Sequence, residues 1–101
     1  MIKILIVEDN FFLQKALEEK LSNFSDIIIK DIAQSGEEAL AILEKNHVVD
    51  LILMDIEMPK MNGIKATEII KSKYPQIKIV IITVFDNDET IFNAIKAGAD
   101  G

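Results

Sequence analysis

Short apolar runs alternate with amphipathic stretches along the whole chain. Ile2–Val7, Ile27–Ala33, Asp50–Met54 and Ile77–Thr83 are rich in Ile and Val, as strands covered on both faces are. Between the first two, Leu13, Leu17, Leu21 and Phe24 recur at helical spacing, with Asn10 as the cap. Ser35-Gly-Glu-Glu38 has the spacing of a capping box and leads into Ala39, Leu40 and Leu43. Gly63 to Tyr74 reads as a third helix, stopped by Pro75 because the residue before proline is pushed out of the helical region. Asp88 to Ala97 reads as a fourth, with Ile91, Ala94 and Ile95 on one face and Gly98 as its stop. Strand and helix alternate throughout, which predicts an α/β protein with a parallel sheet.

Composition narrows this picture. A chain of 101 residues supports one domain, and half of it is apolar, enough to build a core. A net charge of −6 argues against nucleic-acid binding by this segment through a basic face. No cysteine is present, which removes disulfides, thiolate ligands and cysteine nucleophiles together. No apolar run is long enough to span a membrane, and Met1 to Val7 is too short and too soon followed by acids to be a signal peptide. Cytoplasm is therefore the expected location. Neither GxGxxG nor GxxxxGKS/T occurs, so nucleotide binding is not expected.

The candidate chemistry lies at the ends of the apolar runs. Glu8 and Asp9 follow the first run, Asp55 follows the third, and Thr83 ends the fourth. Right-handed parallel connections place all strand carboxyl ends on one rim, where open sheets bind ligands. These residues should converge there despite their separation in sequence. Two carboxylates ~4 Å apart repel by about 4 kcal/mol at an effective dielectric of ~20, so such a cluster raises pKa values unless a cation neutralises it. Oxygen-only ligands favour a hard cation, and Mg²⁺ takes one or two carboxylates plus waters and phosphate oxygens. A carboxylate beside Mg²⁺ can attack a phosphoryl group and form an aspartyl phosphate, with Thr83 offering a hydroxyl to one phosphoryl oxygen.

Four stretches carry a family resemblance: Ile4 to Asn10; Ala33 to Leu40; Asp50 to Gly63, with its Met58-Pro59 turn; and Ile79 to Thr83 with Ala94 to Ala99. In this order the chain resembles the receiver domain of bacterial two-component response regulators over its whole length. The resemblance implies a flavodoxin-like doubly wound sheet with strand order 2-1-3-4-5. It implies that Asp55 accepts a phosphoryl group from a histidine kinase or phosphotransfer protein. Asp9 would bind Mg²⁺ directly, Glu8 through water, and the backbone carbonyl of Glu57 would complete the protein ligands, with Thr83 as switch hydroxyl. Thr83 to Asp86 is similar to receivers fused to LuxR-type helix-turn-helix output domains, so transcription regulation is the expected output. Receivers also carry a lysine and an aromatic switch residue on a fifth strand, followed by a fifth helix. These would fall after Gly101, so the order expected here is 2-1-3-4. Val84 stands where many receivers have a smaller residue beside the phosphate.

Two further consequences concern association and alternatives. Without a fifth strand, Ile77–Thr83 is expected to be an open edge and a template for pairing. The 101-residue chain is then not a stable switching monomer. It pairs as a homodimer, by element exchange between copies, or it is the ordered part of a longer polypeptide. The alternatives to a phosphoacceptor are an interaction or dimerisation module that keeps the receiver fold without switching, and an aspartyl-nucleophile phosphatase using Glu57 as acid. Pro59 and the Glu8-Asp9 pair fit the receiver better. His47, the only histidine, reads as a surface residue near the end of the second helix, and Lys60 and Lys65 as solvated. Phe11 and Phe12 read as packing residues of the first helix rather than a gate, and Met54, Met58 and Met61 as gap-fillers near the site.

Overall fold

A computed structural model describes residues 1–58, 60–82 and 97–101. Within them, β1 (Ile2–Val7), α1 (Phe11–Leu21), β2 (Ile27–Ala33), α2 (Gly36–Lys45), β3 (Leu51–Asp55), α3 (Gly63–Lys73) and β4 (Lys78–Ile82) follow one another. The strands form one parallel sheet in the order β2-β1-β3-β4. This is the doubly wound, flavodoxin-like order expected. The third strand is shifted one residue from the expected range: Asp50 lies just before it, its carboxylate accepting the amide of Lys3 (2.8 Å), and Asp55 pairs with Ile82.

Helix boundaries follow local chemistry. The side chains of Asn10, Ser35 and Asn62 accept the amides of Leu13, Glu38 and Lys65 at 3.1, 3.1 and 2.9 Å, each satisfying a donor that the first helical turn leaves orphaned. Helix α3 stops at Lys73, and Tyr74 leaves the helical region (φ −131°, ψ 67°) ahead of Pro75. Most of the fourth helix read from sequence, and Thr83 with it, lies outside the described residues. Gly98 adopts φ 108°, the conformation expected of a helix-stopping glycine.

The main core lies where α2 and α3 cover one face of the sheet. Leu5, Val7, Ala33, Ile52, Met54 and Ile79 meet Ala39, Leu43, Ala66 and Ile70 there, all essentially inaccessible to water. Ile4 and Ile6 alternate with Leu5 and Val7, point to the opposite face and are also buried. A bulge on β2 preserves this sorting. Ile4 pairs with Ile29 but Leu5 pairs with Asp31, so Lys30 is absorbed as an extra residue and Ile32 still falls beside Ile6.

Two expectations are corrected. Leu13 and Phe24 are exposed, and the residue α1 buries is the polar Gln14. Phe11 and Phe12 do not pack in the core: they are 60% and 81% exposed and meet only edge to face, with Lys15 Nζ over the Phe11 ring. Phe12 lies two residues before Gln14, about 200° round the helix, and so faces away from the sheet.

The outer edge of β4 is likewise not bare. Asp100 N donates to Ile79 O (2.8 Å), Ile79 N to the Asp100 carboxylate (2.9 Å), and Ile81 N to Gly101 O (2.7 Å). Asp100 and Gly101 occupy part of the edge that the sequence alone leaves open. His47 is exposed as expected, and its ring stacks on Tyr74 at 5.4 Å. Lys60 and Lys65 are exposed, and Lys65 pairs with Glu68 at 3.2 Å.

Candidate functional site

The carboxyl ends of β1 and β3 bring the predicted acids together. Glu8 follows β1, tied to β2 by its amide, which donates to Ala33 O at 2.9 Å. Asp55 ends β3, and the N-terminus of α3 is set directly on its backbone. Gly63 N donates to Ile56 O (2.9 Å). A Cβ on Gly63 would overlap the Asp55 carbonyl oxygen and lie 2.9 Å from Ile56 Cα, so only glycine fits there.

One carboxylate oxygen from each of Glu8, Asp9 and Asp55 lies within 4.8 Å of the others. Their surroundings differ: Glu8 is buried, Asp55 half-buried and Asp9 exposed. Burial is the main reason the Glu8 carboxyl is pushed up to about 7, with the Asp55 charge and hydrogen bonds to Asp9 and Asp55 adding to it. The Asn10 amide, which donates to Glu8 Oε2 at 3.1 Å, opposes this. Burial and then the charge of Asp9 raise Asp55 as well, while hydrogen bonds from Glu8 and from the Glu57 and Ile56 amides draw it back. The carboxyls of Glu8 and Asp55 thus face each other across the site, each raising the cost of charge on the cluster.

Two cavities open on this cluster. One of about 270 Å³ is lined by Glu8, Asp9, Asn10, Leu13, Asp55, Glu57 and Ile82. The other, of about 450 Å³, is lined by Asp9, Ile56, Glu57, Met58 and Asn62. Asp9 and Glu57 border both. Thr83 follows Ile82 in the chain and lies outside the described residues. Met54 is fully buried in the core as expected, whereas Met58, also buried, borders the larger cavity. Three converging carboxylate oxygens, with no nitrogen or sulfur ligand among the described residues of the cluster, suit a hard divalent cation.

Sequence reasoning missed Gln14, whose Nε2 donates to the backbone carbonyl of Glu8 at 2.6 Å. The only signal in the sequence is a glutamine beside Leu13, and glutamine is ordinary on a helix surface.

Comparison with known proteins agrees with this geometry. The response regulator receiver domain family matches residues 4–101. Response regulator protein VraR of Staphylococcus aureus is 41% identical over 101 residues, a match covering 98% of this chain and 47% of the relative. The chain therefore spans about half the length of the curated relatives it matches. The CheX-CheY-BeF3-Mg²⁺ complex from Borrelia burgdorferi superposes with a TM-score of 0.91 at 27% identity, over 98% of this chain and 74% of that one. A DNA-binding response regulator of the LuxR family from Staphylococcus aureus does so with a TM-score of 0.89 at 26% identity, over 99% and 82%. With its fold, its acidic rim and this match along nearly all of its length, the chain belongs to the response regulator receiver domain family.

Proposed function

We propose that the protein is a phosphoacceptor switch in which Asp55 takes a phosphoryl group from a histidine kinase or phosphotransfer protein in a Mg²⁺-dependent step. The observation that carries this reading is the convergence of the Glu8, Asp9 and Asp55 oxygens within 4.8 Å on the carboxyl rim. Asp9, Asp55 and the backbone carbonyl of Glu57 would hold the cation, and Glu8 would act through water. A bound Mg²⁺ supplies positive charge that offsets both the carboxylate repulsion and the charge on the transferred group.

The rest falls to the chain itself. An Asp55 carboxylate oxygen forms the new P–O bond as the bond from phosphorus to the donor nitrogen breaks, and the imidazole leaves. Ionised Asp55 is needed for attack, and the Glu57 and Ile56 amides that hydrogen-bond it favour that form. Thr83, directly after the cavity-lining Ile82, donates its hydroxyl to a phosphoryl oxygen and reports the modification.

The LuxR-family relative and the half-length match to VraR support an output that controls transcription through a DNA-binding domain. A cytoplasmic location fits such a role. Among the described residues no helix is long and apolar enough to cross a membrane.

The test is phosphorylation by a small acyl phosphate with Mg²⁺. The protein should gain one hydroxylamine-labile phosphate, as an aspartyl phosphate is and a phosphoserine is not. Asp55→Ala should abolish it, and a variant that kept the label would overturn the assignment.

A further inference from the structure

Helix α1 turns a single buried residue to the protein, and that residue is an amide. Gln14 is 7% exposed, its Nε2 donates to the Glu8 carbonyl at 2.6 Å, and both partners are buried. A buried amide needs a partner to offset its desolvation. This one spends a donor on the peptide that joins the two acids Glu8 and Asp9.

That peptide has left the ladder. Glu8 N is the last amide of the β1 segment to reach β2, through Ala33 O at 2.9 Å. Beyond it the chain turns, and three bonds knit the turn to the helix. Gln14 Nε2 reaches Glu8 O (2.6 Å), Gln14 N reaches Asn10 O (3.0 Å), and Asn10 N reaches Glu8 Oε2 (3.1 Å). Because the peptide unit is planar, fixing the Glu8 carbonyl fixes the whole plane between Glu8 and Asp9. The Cα atoms of Glu8 and Asp9, from which both carboxylate side chains leave, are placed with it, and the Asn10 amide then holds the Glu8 carboxylate itself.

We propose that Gln14 is a positioning residue of the acidic site, holding the Glu8–Asp9 peptide plane so that the two carboxylates converge with Asp55. The inference rests on the proposed cation-binding function. A neutral amide suits the task. It donates without adding charge, whereas lysine or arginine at this point would compete for the carboxylates. The backbone at Asp55 is placed differently, by its pairing with Ile82 in the sheet and the close approach of Gly63.

The test compares Gln14→Met, which keeps the length and removes the donor, with Leu17→Ala, which weakens the half-buried face of α1 without touching the Glu8 carbonyl. Mg²⁺ affinity is measured by calorimetry where each variant is fully folded. Amide hydrogen exchange is measured on the metal-free protein. Gln14→Met should weaken Mg²⁺ by about tenfold, the cost typical of losing an outer partner of a metal site. It should also speed exchange at Asp9 and Asn10 relative to Ile52. Leu17→Ala should lower the melting temperature and leave affinity unchanged.

Unchanged affinity and exchange in Gln14→Met would overturn the inference, as would equal affinity losses in both variants. If Gln14→Met does not fold, Gln14→Asn, an amide one methylene too short, is read by the same criteria. If the unmodified protein binds no Mg²⁺, the proposed function fails. The metal-free exchange at Asp9 and Asn10 then decides the role of Gln14.

Discussion

Carboxylates serve opposite purposes in two regions of this molecule. At the outer edge of β4, Asp100 accepts the Ile79 amide at 2.9 Å and the Lys71 ammonium at 3.1 Å, and these donors hold it below the ordinary carboxylate range. Lys71 is saturated in turn, donating also to Pro75 O and Ile77 O. The result is a fastener joining the end of α3, the start of β4 and the segment after Gly98. On the carboxyl rim, Glu8 and Asp55 have fewer donors, more burial and each other as neighbours, and both are pushed up. An acid supplied with donors at the surface stabilises the fold. Acids crowded together cost stability, and the sequence keeps such a cluster where the site needs it.

The strongest way to break the contrast is through the backbone under the rim. Gly63→Ala would drive a methyl into the Asp55 carbonyl, with Asp55 C at 2.8 Å and Ile56 Cα at 2.9 Å, all main-chain atoms that cannot swing aside. Overpacking typically costs about 1–3 kcal/mol, and rigid main-chain contacts put this case at the upper end. Urea unfolding should show that loss, and Mg²⁺ affinity should fall with it because Asp55 is displaced. A loss no larger than that of an exposed alanine substitution would mean that α3 can slide away from the rim.

Less severe is removal of one rim charge. Asp55→Asn should stabilise the metal-free protein by about 1–2 kcal/mol at pH 8, a fraction of the ~4 kcal/mol repulsion of two close carboxylates because Asp55 is half-exposed. Saturating Mg²⁺ should reverse the ranking, since only the unmodified site gains from the cation. Chemical denaturation with and without Mg²⁺ measures both. If Asp55→Asn destabilises the metal-free protein, the rim is satisfied internally and is not a poised site.

How far these features were legible in sequence depended on their range. The strands, the caps at Asn10 and Ser35, and the convergence of Glu8, Asp9 and Asp55 follow from short-range pattern and from the handedness of parallel connections. Gln14 and the Lys71–Asp100 pair were not legible. Each depends on a polar side chain meeting a backbone group or a carboxylate after the helices have docked, and no periodicity encodes that. The exposed Phe11 and Phe12 misled for a related reason. Hydrophobicity predicts a preference for burial, whereas helix rotation about Gln14 decides which residues achieve it.

The smallest expected effect belongs to the fastener, and pH separates it from the rim. Asp100→Asn keeps the shape of the side chain and weakens its bonds to Ile79 N and Lys71, so it should cost about 1 kcal/mol at neutral pH, discounted for an exposed pair. The folded-state value of Asp100 lies below the ordinary 3.8. On acidification the unfolded chain therefore takes up this proton first. The contribution of Asp100 is full above the ordinary value and is lost as pH falls through the lowered one. The stability difference between the unmodified protein and Asp100→Asn should be constant at neutral pH and close in the acid limb below about pH 4. Glu8 and Asp55 are raised instead, so their contributions have the opposite sign and change at higher pH, outside this window. Urea midpoints of both proteins from neutral to strongly acid pH provide the measurement. A difference that persisted unchanged into acid would show that the Asp100 side chain acts through shape alone, and that Lys71 meets it without drawing on its charge.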